Sequence, residues 1–276
     1  MSFDNAYEAL TEGLDDSRWA FGTGFDDPLS GVDTTVPDGL DAAELAAHCL
    51  MLGDDALVMS HRLQEWCTNA PELEDEVALA NIGLDLLGQA RLLLARAGKA
   101  DGSGRGEDEL AFFRDSNGFR NVRLVELSNG DFAFSVARLL VFSTWRLALF
   151  QRLTSSPDQV LAAIAAKAIK ELVYHRDYAA QWTVRLGDGT ELSHQKMQAG
   201  LDAVWPYVAE LFAGAESELR AESDDVLTQV LSAATLRKPE IPDAEGGGRE
   251  GSHTAELESL LAEMQSVARA HPGATW

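Results

Sequence analysis

A carboxylate and an imidazole three residues apart on a helix lie on one face, so a Glu-x-x-His pair can aim both donors at one metal pair inside a helical core. The chain has six histidines and gives that spacing twice, at Glu191 to His194 after a GDG turn and at Glu250 to His253 in a glycine-rich stretch. Neither pair falls on a long apolar helix, so neither reads as an iron site. The long helices offer a different set: Asp54 and Asp55 on the first, Asp85 with Gln89 on the second, and Glu171 with Tyr174 and His175 on the fourth. The third carries nothing acidic after Asp131. A two-iron centre in a helical bundle takes about six protein ligands, including a histidine three residues after each of two carboxylates. Here those places hold Gly88 and Tyr174, and neither replaces a neutral imidazole. The expected arrangement is a hydrogen-bonded polar network, with no catalytic, cofactor-binding or metal-binding residue assigned. In it Lys167, one turn before Glu171, supplies a positive charge and His175 bonds to a neighbour. The alternative from these residues is a metal-binding enzyme in its own right, using Asp54, Asp85, Glu171 and His175. A third reading is a binding or storage module.

Four long amphipathic helices must position these groups. Asp41 is a good N-cap, and apolar residues then recur at Leu45, Cys49, Leu52, Ala56, Met59, Leu63 and Trp66. Pro71 and an acidic ELEDE turn open a second helix, with a stripe of Val77, Ala80, Leu84, Leu87 and Leu94 and an end at Gly98. A polar connection containing DSNGFRN and SNGD leads to a third helix carrying Phe132, Val136, Leu139, Ser143, Leu147 and Phe150. The fourth starts at Pro157 and Asp158, runs through Leu161, Ala165, Ala168, Leu172, His175, Ala179, Trp182 and Leu186, and breaks at LGDGT. Short first and third links beside a longer second one predict two antiparallel hairpins. The fold class is all-α, a ferritin-like four-helix bundle with additional C-terminal helices. These additions are a helix interrupted at Trp205-Pro206, another near Asp224 to Lys238, a flexible PDAEGGGREGSH loop and a last helix from Thr254 to about Arg269. Residues 1–40, rich in Asp, Gly and Pro with one short helical stretch near Asn5 to Leu14, read as an acidic N-terminal arm, and residues 41–276 as the helical domain.

The net charge is −23, from 22 basic and 45 acidic residues, which repels phosphate backbones and anionic lipid and excludes nucleic acid as a partner. No apolar run in the plain sequence approaches the ~20 residues of a membrane span, and the acidic start lacks the basic-then-apolar pattern of a signal peptide. The expectation is a cytoplasmic protein with no membrane partner. Only five lysines stand against seventeen arginines. Acid-rich, lysine-poor surfaces suit concentrated salt, because dense carboxylates hold water while salt screens their repulsion, so a high-salt (halophilic) cytoplasm is expected. Cys49 and Cys67, about five turns apart, are expected as small buried apolar groups, with no disulfide.

The segments HRLQEWCTNAPELEDEVALANIGLDLLGQAR from His61 to Arg91, AKAIKELVYH from Ala166 to His175, RLGDGTELSHQKMQ from Arg185 to Gln198, and HTAELESLLAEMQ from His253 to Gln265 with a terminal HPGATW closely resemble the C subunits (PaaC) of phenylacetyl-CoA ring epoxidase. The resemblance runs from about Ala47 to the end. It implies a multicomponent monooxygenase of aerobic phenylacetate breakdown. In that complex a catalytic A subunit holds the di-iron centre and the CoA thioester, a reductase delivers electrons from NADPH, and small accessory subunits complete the assembly. The ferritin-like C subunit pairs with A as a structural partner and holds no iron or other cofactor.

Overall fold

Helix α1, Ala42–Gln64, begins where the Asp41 carboxylate accepts the backbone N–H groups of Ala43 and Glu44, donors that a helix start otherwise leaves unpaired. Helix α2, Leu73–Ala100, follows a short link and packs along α1 as the first hairpin. The computed structural model describes residue 29, residues 31–214 and residues 217–274. The helical stretch expected near Asn5 to Leu14 lies outside the described residues. After the short helix α3, Glu107–Phe112, the second hairpin is formed by α4, Phe132–Leu153, capped by Asp131, and α5, Gln159–Gly187, capped by Asp158. The seam between α2 and α5 closes the bundle, and α4 is tied to the turn after α1 by the Trp66 indole N–H donating to Ser135 Oγ at 3.0 Å. Leu63, Ile82, Leu86, Leu93, Leu140 and Phe150 are fully buried between the hairpins. Each contributes about 1.5–3 kcal/mol relative to an exposed side chain. Among the described residues every regular element is helical.

Helix α6, Glu191–Val204, crosses the start of α4 at such close range that a Cβ on Gly200 would meet the Phe134 backbone at 2.9 Å. The interruption at Trp205 and Pro206 is a 3-10 turn, as the proline requires. Helix α7, Ser217–Ala233, begins earlier and ends sooner than the sequence suggested, because Thr235 adopts a positive φ of 58° and stops it. The last helical stretch is split at Gln265 into α8, Ala255–Met264, and α9, Ser266–Ala270. All these helices belong to one compact unit, Val32–Trp276.

Four further expectations need correction. Gly98 does not end α2. It lies inside the helix, and a glycine stands there because a Cβ would meet the Arg105 carbonyl oxygen at 1.9 Å. The connection between the hairpins, read as polar, also contributes to the core, with Phe119, Val122, Leu124 and Val125 fully buried. Cys49 is buried, but Cys67 lies beyond the end of α1 and is exposed. Finally, α2 and α4 both have an 18-residue window of mean hydropathy 1.4, apolar enough by length and composition to cross a membrane. Scattered polar residues had hidden those windows from a search for unbroken apolar runs.

Candidate functional site

At the bundle centre the donors expected from the sequence are in place, but they surround a guanidinium. Arg146, fully buried on α4, donates from Nε to Gln89 Oε1 at 3.0 Å and from Nη1 to the Leu52 carbonyl at 3.2 Å. It stacks on Phe150, 4.3 Å from the ring centroid. Gln89 passes the contact on, its Nε2 donating to Glu171 Oε2 at 3.0 Å. Burial lowers the Arg146 pKa to about 10, so the side chain remains a cation at neutral pH. Burial likewise raises Glu171, with Asp85 adding to the effect and Gln89, Lys167 and His175 opposing it. Beside this chain, His175 Nε2 lies 3.0 Å from Asp85 Oδ2, with His175 buried and Asp85 partly open to solvent.

The expected role for Lys167 is corrected. That side chain is exposed and makes no ion pair among the described residues, and the cation of the network is Arg146. Tyr174 and Gly88, at the two places where histidines would stand, do not enter the core; Tyr174 is exposed. Asp54 and Asp55 do not join the centre as acceptors either. The Asp54 carboxylate takes both terminal nitrogens of Arg114 and the Arg120 backbone N–H at 2.9 Å. Asp55 takes Arg249 at 3.0 and 2.7 Å and the Val122 backbone N–H at 2.9 Å. Two adjacent carboxylates on α1 thus staple the buried connection and the C-terminal segment to the bundle.

The two Glu-x-x-His pairs do not converge. Glu191 is exposed and bonds Gln195, while His194 Nδ1 meets the Gly187 carbonyl at 2.7 Å. Glu250 is exposed, and His253 turns inward to Glu126 Oε1 and the Phe119 carbonyl. The glycine-rich segment around them is not a free loop. Arg249 anchors it to Asp55, Gly248 N–H donates to Glu210 at 2.6 Å, and Arg123 donates to the carbonyls of Ala244, Glu245 and Gly246. Burial alone would lower His253, but the hydrogen bond and charge of Glu126 outweigh it and raise its pKa.

This donor set does not fit a two-iron centre. Such a centre presents open carboxylates and imidazoles to the metal. Here Gln89 faces a fixed guanidinium, Asp54 and Asp55 are taken by arginines, and Asp85 by His175. Among the described residues no three His, Cys, Asp or Glu side chains gather in an arrangement able to hold a metal ion. The sequence reading missed Arg146 and its fellow buried arginine on α4, Arg138, whose pKa burial lowers to about 9. The available signal was two arginines eight residues apart in an otherwise apolar helix.

An all-helical bundle with an arginine-centred polar core is thus the frame in which family membership can be read. Residues 33–276 match the family model described as phenylacetic acid catabolic protein, and the chain belongs to that family. It is 46% identical over 247 residues to the C subunit of the 1,2-phenylacetyl-CoA epoxidase of Escherichia coli (strain K12), covering 84% of this chain and 99% of that protein. The family resemblance read from the long motifs between His61 and Gln265 therefore holds.

Proposed function

We propose that this chain is the non-catalytic structural subunit of a 1,2-phenylacetyl-CoA epoxidase. In this reading it pairs with and stabilises a di-iron catalytic A subunit, which receives electrons from NADPH through a reductase. One observation carries the proposal: the bundle centre is occupied by the chain from Arg146 through Gln89 to Glu171, a cation where a metal-dependent oxygenase would need open ligands. Similarity to the C subunit of an epoxidase supports the same assignment. A protein of this kind serves the reaction by holding its partner's helices, so that ligands and substrate channel keep their geometry. The test is reconstitution. Epoxidation of phenylacetyl-CoA by the catalytic subunit, reductase and NADPH is expected to require this chain, while the chain purified alone carries less than about a tenth of an iron by elemental analysis. Close to two irons per chain, or full turnover without it, would overturn the proposal.

A further inference from the structure

A cavity of about 530 Å³ lies beside the polar centre, walled by side chains of α1, α4, the 3-10 turn Ala209–Phe212 and α7. That volume falls in the range of roughly 300–1,000 Å³ typical of pockets for small organic ligands. Most of the wall is apolar, contributed by Met51, Leu52, Leu149, Leu211 and Leu219.

The polar groups of the wall are unevenly satisfied. Arg249 is spent on Asp55 and on the carbonyls of Met51 and Arg120, and the Glu210 carboxylate on the backbone N–H groups of Gly248 and Arg123. Trp145, 3% exposed, and His48 differ. The Trp145 indole N–H and His48 Nε2 are both sealed from bulk solvent, and neither has a hydrogen-bond partner among the described residues. Buried polar groups are normally paired, so two such residues in one cavity wall mark a place for a partner from outside the chain. An indole N–H only donates, which requires that the partner bring an acceptor oxygen. Burial, with Arg249 adding to it, lowers the His48 pKa and keeps that ring uncharged at neutral pH. The charge comes from Arg152. Its Nη1 meets the Ala148 carbonyl at 2.9 Å and Glu222 at 2.8 Å, and no other partner reaches it among the described residues. The Arg152 and Glu222 side chains are 33% and 45% exposed. An ion pair this open is weak, so a second carboxylate can compete for the guanidinium.

We propose that this cavity binds a small apolar monocarboxylate, its hydrocarbon or aromatic body against Met51, Leu149, Leu211 and Leu219 and its oxygens toward Arg152, His48 and Trp145. A neutral apolar ligand is the weaker match, because it leaves the polar wall unpaired. A more highly charged ligand is weaker too: Arg152 is the one lining cation not committed to a buried carboxylate, and the chain carries a net charge of −23. The site needs no second subunit, so the proposal stands or falls independently of the assembly role above.

The experiment is isothermal titration calorimetry of the full-length chain with 1-naphthylacetate, and with 1-naphthylacetamide as its uncharged counterpart of the same shape. Circular dichroism checks that each variant is folded. Saturable binding of the carboxylate is expected with a dissociation constant below about 200 μM, and the amide is expected to bind at least about tenfold more weakly. Arg152→Gln is expected to weaken carboxylate binding about tenfold and Trp145→Phe, which removes only the indole donor, about fivefold. Leu149→Trp fills the cavity and is expected to abolish binding. Leu84→Gln, in the exposed apolar row of Leu73, Val77 and Leu84 on the outer side of α2, is expected to leave it within about twofold. No saturable binding at about 2 mM, or equal affinity for the amide, would overturn the proposed ligand class. Wild-type affinity in Arg152→Gln, Trp145→Phe or folded Leu149→Trp, or a loss in Leu84→Gln, would overturn the assigned site.

Discussion

Helices α2 and α4 have apolar windows of the same mean hydropathy, yet the structure treats them differently: α4 is 83% buried over that window and α2 is 44% buried. The inner helix carries the fold's least expected groups, two fully buried arginines, while the outer one leaves Val77 and Leu84 in solvent. Apolar content alone therefore does not locate the core. In α4 it accompanies buried charge, each guanidinium being offset by carbonyl or amide acceptors and aromatic stacking. In α2 part of the apolar content stays in solvent, at Leu73, Val77 and Leu84.

The comparison is broken most severely at Arg146. Arg146→Ala removes the cation between Gln89, Leu52 and Phe150 and leaves buried acceptors unpaired; urea denaturation is expected to register a loss of about 5 kcal/mol. Arg146→Met, apolar and of similar length, is expected to lose less than half of that. An equal loss in both variants would show that the unpaired acceptors on Gln89 and Leu52, and not the lost packing volume, set the cost.

Next in size is the staple. Arg249→Ala strands the fully buried Asp55 carboxylate, with an expected cost of about 3 kcal/mol and earlier proteolysis of the 242–253 segment. A cost below about 0.5 kcal/mol would show that this segment is as loose as its glycines suggest.

A smaller, pH-dependent effect belongs to His253. Its folded pKa is raised by Glu126, so the protonated form is favoured in the folded state. Its contribution is complete below the unfolded value of ~6.5 and is lost as pH rises through the folded value. The stability difference between wild type and His253→Gln is expected to be about 1.5 kcal/mol at pH 5.5 and to shrink steadily toward alkaline pH. A difference that grows with pH would reverse the assigned sign.

The smallest effects sharpen the other side of the comparison. Leu84→Ala and Lys167→Ala touch exposed side chains, and each is expected to change the stability of the isolated chain by less than about 0.5 kcal/mol. A loss above about 1 kcal/mol for Leu84→Ala would mean that the outer row already belongs to the core of the monomer.

Much of this was legible in the sequence. The four long helices, the Asp41 and Asp158 caps and the break at Trp205-Pro206 followed from periodicity and local chemistry. The missing histidines at Gly88 and Tyr174 were equally plain. What misled was α2. The stripe Val77, Ala80, Leu84 and Leu87 has proper helical spacing, yet Val77 and Leu84 lie on the exposed side, and periodicity cannot choose between two apolar faces of one helix. Arg146 escaped notice because its acceptors, Gln89 and Leu52, come from other helices, so its place in an apolar helix was the one local mark of its burial. The glycine-rich segment read as flexible for a similar reason, since Asp55, Arg123 and Glu210, which hold it, are distant in the chain.

The central claim, that the polar centre supports assembly rather than chemistry, is tested most directly by turnover of the reconstituted complex carrying Glu171→Gln together with His175→Ala. The measurement is made at protein concentrations rising well above the assembly constant of the variant. The account predicts a low rate at low concentration that climbs to the wild-type value as mass action restores the complex. A rate that stays near zero with the complex fully assembled would contradict it and place these residues in the reaction itself.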